Sequence, residues 1–458
     1  MREAVSYGET AGMEDTGEMT ATTTVEPRAK TRDRRSPFVR EDWGAHTFRV
    51  NREVFRSEQV FARERDRVWD RLWLYLGHET EVPLPGDFKQ RTLAGRPLIF
   101  ARDSTGKVRA YLNACPHRGT ILCRETEGNA KTFQCFYHAW TFANTGELVG
   151  IPDPGAYPPE RGFAAEMGLR GLPRFENYRG FVFVSFAGDG PSLREHLGDA
   201  REYLDLMAEH SEGGLEVIPG THLYSIRGNW KLAVENAMDG YHFSPTHVTF
   251  VEYLKTTGYV TSDEGGRAIT LENGHSVLVF SGHGGRVGMQ WEPRFGESER
   301  LRVEENVRRL AARIGEEGAK RVSGTSRILY IFPNLLLFDI EGLAARQLEP
   351  IRPDFTEVRA WELAPAGESA EARELRIRIL GSFIGPGGLA TPDDVEAYEC
   401  VQRGVVATAG DPRPNVDWSD ISRGMAREAE GQPARNVDEA GIRGFWRHWD
   451  DRISGSAG

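Results

Sequence analysis

Two clusters of metal-binding side chains stand out along the chain. The first reads Cys115-Pro-His117-Arg-Gly119, then Cys135-Phe-Tyr-His138-Ala-Trp140. The pattern is Cys-x-His, an intervening stretch from Arg118 to Gln134, and Cys-x-x-His. Two soft thiolates and two imidazoles suit tetrahedral zinc, or a [2Fe–2S] cluster in which one iron takes two Cys and the other two His. Structural zinc sites usually space a ligand pair by two to four residues, so the Cys-x-His pair favours the cluster. So does the even division of one Cys and one His per segment, as though two similar loops each hand over one sulfur and one nitrogen. Spacing alone leaves zinc open. Cys123 lies between the pairs without a partner in either loop and reads as a small unreactive thiol.

The second cluster is Asp239-Gly-Tyr-His242-Phe-Ser-Pro-Thr-His247. On a helix Asp239 and His242 would share a face, and Pro245 should end that helix and let His247 turn back toward His242. Two His and one carboxylate make the facial triad of an octahedral Fe(II) with open positions. The carboxylate could come from the distant segment Gly385-Pro-Gly-Gly-Leu-Ala-Thr-Pro-Asp393-Asp394-Val-Glu396. There Thr391 could instead cap a helix, with Pro392 first inside it and Asp394 the third-position acid, and spacing alone favours that capping role. By the same measure His242 and His247 could be two satisfied polar histidines at a helix end, and Asp239 a solvated helix acid.

These residues need elements to hold them. Apolar positions at Val54, Phe55, Val60, Phe61, Val68, Trp69 and Leu72 predict helix over 38–72. Short β-like runs broken by Gly, Pro and Asp fill 73–190 and predict a compact all-β domain around the first cluster. Residues 192–212 read as helix. Strands are expected at 276–280 and 327–339, helices at 230–242 and 299–314, and another helix from Pro392. The class is α+β. The all-β domain is set within a larger helix-grip-like domain, an antiparallel sheet covered by helices, with residues 191–458 carrying the second cluster. Residues 1–37, rich in Glu, Thr and Arg, read as a disordered tail. Arg34-Arg35 is followed by residues too charged for an export signal.

Composition narrows the function classes. The 458 residues are 39% hydrophobic and 27% charged, as in a soluble protein, and no apolar run approaches the roughly 20 residues of a membrane helix. A net charge of −11 without a basic stripe argues against nucleic-acid or anionic-membrane partners. Four cysteines in so long a chain are no disulfide framework and point to the cytoplasm. No dinucleotide site is convincing. Phe280–Gly288 lacks the glycine spacing, and Gly385–Ala390 has it but places Asp393 and Asp394 where a pyrophosphate would sit. Both read as turns, so electrons must come from outside.

Together, Cys115-Pro-His117-Arg-Gly, Cys135-Phe-Tyr-His138-Ala-Trp, Asn229-Trp-Lys with Glu235-Asn236, and Asp239-x-Tyr-His242 with His247 resemble the large (α) subunit of Rieske non-heme iron ring-hydroxylating dioxygenases over roughly 40–450. The resemblance implies that Cys115, His117, Cys135 and His138 hold a Rieske [2Fe–2S] cluster, and that His242, His247 and the second acid of the Asp-Asp pair, Asp394, hold Fe(II). Ala390, Thr391 and Pro392 depart from many relatives, so Asp393 and Glu396 stay open as alternatives. It further implies that Asp239 links His138 of one subunit to His242 of the next, hence a trimer, either α3 or α3β3 with a small β subunit. An NAD(P)H-dependent reductase, with or without a ferredoxin, would supply electrons. The implied outcome is cis-dihydroxylation by O2 of a small aromatic hydrocarbon or carboxylate, in aromatic catabolism. A monooxygenase or demethylase of the same family is the alternative, and a Rieske electron carrier is the rival of another class. The carrier of respiratory type has an extra Cys in each cluster loop, where this chain has Thr120 and Tyr137. Asn236 and Phe243, next to the iron ligands in sequence, are the expected pocket lining, and Arg346 and Arg352 are candidates for meeting a substrate carboxylate.

Overall fold

The computed structural model describes residues 33–157, 166–257, 266–281 and 285–455. Most of the expected tail, and part of the 280–288 loop, lie outside the described residues. The end of the tail does not. Arg34–Arg35 is a strand paired with Val39–Asp42, and Arg34 Nη1 meets Asp450 at 2.9 Å and Asp451 at 2.5 Å. Ion pairing to the C-terminal helix Ala440–Ser454 orders what composition alone marks as disordered.

The next stretch departs from expectation too. Val39–Asp42 and Thr47–Asn51 are strands, and helix begins only with Arg52–Phe55 and Glu58–Glu64. Phe48 and Val50 are buried on alternate positions of Thr47–Asn51, and its outer edge pairs with Trp418–Asp420. A pairing across so much chain overrides local helical spacing.

Between residues 74 and 185 the described chain is mainly β, with single 3-10 turns at Glu79–Glu81 and Pro154–Ala156. One sheet runs in the order Val108–Leu112, Arg96–Arg102, Asp87–Leu93, Glu127–Asn129, and a second in the order Leu148–Gly150, Thr141–Ala143, Thr132–Gln134. Their shared core contains Ile99, Phe133, Trp140 and Phe142 together with Cys115 and Cys135.

The remainder is built on an eight-stranded antiparallel sheet. Its spine runs Leu215–Val217, Phe355–Pro365, Gly342–Arg352, Leu335–Ile340, Thr325–Ile331, Ser276–Ser281, Arg267–Thr270, and His222–Ile226 also pairs with Phe355–Pro365. The run expected as one strand over 327–339 is thus a hairpin, turned at Phe332-Pro333 where proline cannot donate to a ladder. The two-residue period of a strand gives the sheet two faces. Val277, Leu329, Leu337, Ala345 and Trp361 are paired in register and pack against Tyr75, Phe183 and Leu204. The opposite row, Leu278, Ile328, Phe338, Leu336 and Arg346, faces the helices that carry the second cluster.

Those helices are Trp230–Ala237, Phe243–Thr246, Val248–Thr256, Ala370–Phe383 and Thr391–Ala407. The first is pinned by a buried carboxylate. Glu64 accepts from Trp230 Nε1 at 3.1 Å, Lys231 Nζ at 2.6 Å and Trp449 Nε1 at 2.7 Å. This joins three elements far apart in sequence, and removing one partner of such a buried pair costs about 3–5 kcal/mol. The helix expected at 299–314 begins at Glu297 and is interrupted at Gly315, which leaves helical geometry at φ 78°, before a second helical stretch that ends at Ser323. Among the described residues, no helix is long and apolar enough to cross a membrane.

Two buried histidines make the fold acid-sensitive. His275 Nδ1 accepts from Phe332 N–H at 2.9 Å, while Nε2 meets the His196 carbonyl at 2.7 Å, so both nitrogens are used by a neutral ring. Burial lowers His275 and His78 each to about 4. Both are depressed, so the unfolded chain takes up the protons first. Stability is full above about pH 6.5 and is lost as the pH falls toward about 4, by roughly 3 kcal/mol for each ring. Thermal unfolding followed at about pH 7.5 and about pH 5 should show a clearly lower Tm at the acid pH.

Candidate metal centres

The two cluster segments fold into matching loops. Cys115 N–H donates to the Thr120 carbonyl and Gly119 N–H to the Cys115 carbonyl, both at 2.8 Å. Cys135 N–H donates to Trp140 at 2.8 Å and Ala139 N–H to Cys135 at 2.9 Å, the same closure in the second loop. The fifth residue of each loop is left-handed, Gly119 at φ 75° and Ala139 at φ 54°. The loops bring the four side chains together. The rings of His117 and His138 are 4.6 Å apart, and His117 stacks on Trp140 at 4.6 Å with 2° between planes. Both cysteines are buried and both histidines half-buried. Burial raises the Cys115 thiol above its ordinary value, as does the adjoining Cys135 thiol, while the backbone N–H groups of His117 and Arg118 favour its thiolate. A buried sulfur furnished with N–H donors fits a metal-bound thiolate. Cys123 sits in the same core, its N–H and carbonyl both bonded to the Asn113 side chain at 2.8 Å.

The second site is assembled from two helical segments. The expected continuous helix over 230–242 ends at Ala237, and Pro245 lies inside the next short helix. Gly240 causes the break. Its N–H donates to the Asn436 carbonyl at 3.0 Å, and a Cβ there would lie 2.7 Å from that oxygen. Asp239 and His242 therefore lie in the link between helices and still meet, Oδ2 to Nδ1 at 3.5 Å. From the far side comes helix Thr391–Ala407. Thr391 is not its cap. No side-chain cap bond forms, and the Thr391 hydroxyl donates to the Ile384 carbonyl at 2.7 Å. Asp394 is thereby released from the capping box and turns inward.

There the three candidate ligands converge. Asp394 Oδ1 lies 3.5 Å from His242 Nε2 and 3.2 Å from His247 Nε2, and the three ligand atoms fall within 4.8 Å of one another. Each imidazole turns its other nitrogen to a carboxylate, His242 Nδ1 to Asp239 and His247 Nδ1 to Asp393 at 3.4 Å. That is how metal-bound histidines are usually oriented. It separates the Asp pair, with Asp394 inside and Asp393 behind His247. Glu396, the other alternative, is exposed and pairs with Arg403 at 3.1 Å. Burial alone would lower His242, but the adjoining carboxylates of Asp239 and Asp394 outweigh it and raise it to about 9. Burial alone would raise Asp394, yet its bonds to His242 and His247 hold it far below the carboxylate range. His242 Nδ1 is also a buried nitrogen without a well-formed hydrogen bond. A pocket that stabilises positive charge among two imidazoles and an ionised carboxylate fits a divalent iron.

Asn236 Nδ2 donates to Asp394 Oδ1 at 3.0 Å, and the Tyr398 hydroxyl donates to Asn236 Oδ1 at 2.8 Å. Asn236 and Phe243 both line a cavity opening on the triad, walled by Phe250, Leu336, Phe338 and Phe383. Arg346 lines it as well, whereas Arg352 is exposed and pairs with Asp354 at 3.0 Å. Tyr398, one helical turn beyond Asp394, was missed by sequence reasoning. Its i, i+4 spacing from Asp394 is the signal that could have found it.

Known proteins share this arrangement. The family profile described as Rieske [2Fe-2S] domain matches residues 72–173, and the profile for the ring hydroxylating alpha subunit catalytic domain matches residues 199–455. The chain is 34% identical to the 2-halobenzoate 1,2-dioxygenase large subunit of Burkholderia cepacia, over 89% of this chain and 86% of that one. It is 33% identical to the toluate 1,2-dioxygenase alpha subunit of Pseudomonas putida, over 88% and 87%. A solved structure of naphthalene 1,2-dioxygenase with indole in its active site superposes with a TM-score of 0.76 at 27% identity, covering 89% of this chain and 92% of that one. The chain belongs to the Rieske ring-hydroxylating dioxygenase alpha subunits, and it is an oxidoreductase with a [2Fe–2S] domain and a candidate His-His-Asp iron site.

Metal analysis separates the two sites. Asp394→Ala should drop the iron from three to two per chain and leave the reduced-cluster EPR signal intact. Asp393→Ala should keep the site but weaken iron binding about 10–100-fold, as loss of a carboxylate behind a ligating histidine does. Loss of the cluster signal in Asp394→Ala would contradict the separation.

Proposed function

We propose that this chain is the oxygenase subunit of a system that cis-dihydroxylates an aromatic ring, with an aromatic carboxylate as substrate. One observation carries the reading: an aromatic-walled cavity opens directly on the His242, His247 and Asp394 side chains. Halobenzoate and toluate, named for two relatives, are both aromatic carboxylates.

Cys115, His117, Cys135 and His138 would hold the cluster, and His242, His247 and Asp394 the iron. When bound, the two centres supply one-electron transfer and reduction of O2. The protein's part is positional. Phe243, Phe250 and Phe338 exclude water and pack on the ring faces. Asn236 fixes the Asp394 carboxylate, and Asp393 fixes the His247 ring. Both atoms of O2 enter the ring, two electrons arrive from an NAD(P)H-dependent reductase, directly or through a ferredoxin, and two protons balance the diol.

Asp239 is the proposed bridge. Its Oδ1 accepts from Tyr241 N–H at 2.6 Å while Oδ2 faces His242. The carboxylate is only partly buried and Tyr241 is exposed. That leaves room for His138 of a neighbouring subunit to donate to it, in an α3 or α3β3 assembly in the cytoplasm.

A panel of aromatic acids and hydrocarbons, supplied with reductase and isotopically labelled O2, tests the reaction. Products should carry both labelled oxygens, whereas a single labelled oxygen would establish a monooxygenase. Asp239→Ala should keep the cluster spectrum and the iron while coupled turnover falls by at least about 100-fold, so normal product formation would sink the bridge.

A further inference from the structure

Resting on the reading of this cavity as an aromatic-substrate site, we propose that the buried guanidinium of Arg346, through Nη1, binds the substrate's carboxylate and restricts which ring carbons face the iron. Arg346 is 7% exposed and lines the cavity. Its Nη2 is spent, donating to the Ile384 carbonyl at 2.9 Å and to Thr391 Oγ1 at 2.8 Å. The guanidinium lies 4.6 Å from the Phe338 ring centroid. Nε and Nη1 make no hydrogen bond among the described residues, and no carboxylate pairs with this cation, although burying an unpaired charge is costly.

The other charges lining the cavity are matched. Asp239 and Asp394 face the histidines, and Glu341 pairs with Arg294 at 2.5 Å. Arg346 is the only arginine or lysine among the described lining residues. Nη2 belongs to both forks of the guanidinium and is spent, but Nη1 keeps donors for a charge-assisted hydrogen bond to a carboxylate oxygen.

Placement supports the role. Thr391, which holds Nη2, is three residues before Asp394 on the same helix, so their Cβ atoms lie roughly 5–6 Å apart. Tyr224 and Tyr398 each feel both Arg346 and Asp394. Cation and triad therefore border the same cavity. A benzoate held at Arg346 has its carboxyl end fixed and so can turn only some of its ring carbons toward the iron, and an unsubstituted hydrocarbon gains nothing from the cation.

The bonds to Ile384 and Thr391 also clamp the loop that carries Asp394, so the test must separate clamp from anchor. Binding of benzoate and of benzamide, its uncharged counterpart of similar shape, is measured by calorimetry on the iron-loaded protein. The wild type should prefer benzoate by at least about tenfold. Arg346→Gln should weaken benzoate about 10–100-fold and change benzamide by less than about threefold, as expected for loss of charge-assisted bonds. Thr391→Val removes the two clamp bonds of its hydroxyl, from Arg346 Nη2 and to the Ile384 carbonyl, leaves Nη1 untouched and should keep the acid preference. Equal binding of the two ligands by the wild type overturns the anchor, and so does an equal loss of both in Arg346→Gln. If Arg346→Gln fails to fold, the wild-type preference and its persistence in Thr391→Val still decide. Benzoate that binds with the expected preference but yields no dihydrodiol would sink the proposed reaction and leave the anchor standing.

Discussion

The oxygenation site depends on one buried carboxylate. Asp394 is held ionised in a largely apolar cavity, and everything near it serves either to place it or to balance its charge. Placement begins in the loop before its helix. Gly388 passes so close to the backbone that a Cβ would lie 2.5 Å from the Phe383 carbonyl, so the chain can turn there only with glycine. Thr391 ties the turn to Ile384, and Asp394 then falls in the first helical turn, where the helix dipole favours an anion. Asn236, on a helix pinned by Glu64, approaches from the other side and donates to the same oxygen that faces both histidines. Two helices more than 150 residues apart thus meet at a single atom.

The cluster domain solves a different problem. It buries two sulfurs yet leaves two imidazoles partly exposed. Two loops with the same backbone closure achieve this, each starting with a buried Cys and carrying its His at the rim. Ala139 accepts a left-handed conformation that a non-glycine residue adopts only at a cost of about 1–2 kcal/mol. The matching of the loops is what uses that strain, since Gly119 takes the same place in the first loop without it.

Short-range chemistry was legible in the sequence, and long-range packing was not. The Cys-x-His and Cys-x-x-His pairs lie within single loops, so their spacing carries the site. His242 and His247 flank the one-turn helix Phe243–Thr246, and they too could be paired from spacing. Asp394 could not be separated from a helix cap, because the observation that decides it is the Thr391 hydroxyl bonding to Ile384, a contact of the folded loop. The break before Asp239 was invisible because it depends on Asn436, nearly 200 residues onward. Strands Val39–Asp42 and Thr47–Asn51 were read as helix because Trp418–Asp420, their distant partner, has no local signature. Arg346 and Arg352 looked alike in sequence. The strand's period turns Arg346 to the cavity, while the irregular register between Pro350 and Arg352 lets Arg352 leave the sheet for solvent.

The same sheet period gives the cavity its polarity. Of the inward row Leu278, Ile328, Phe338, Leu336 and Arg346, all but the last are apolar. Near the helices the cavity is acidic, with Asp239 and Asp394 offset by histidines. Near strand Gly342–Arg352 it is cationic, and hydrocarbon fills the space between. Glu341, which burial raises to about 7 despite Arg294, carries only part of a negative charge at neutral pH, and that part faces Arg294. An apolar ring can occupy such a space in several orientations. A ring bearing one anionic substituent can occupy it in few, because reversing the ring would bury its charge against Asp394 and leave Arg346 uncompensated. On the proposed reading, charge placement in the cavity sets how the ring lies, with the aromatic walls deciding only that a flat apolar body fits.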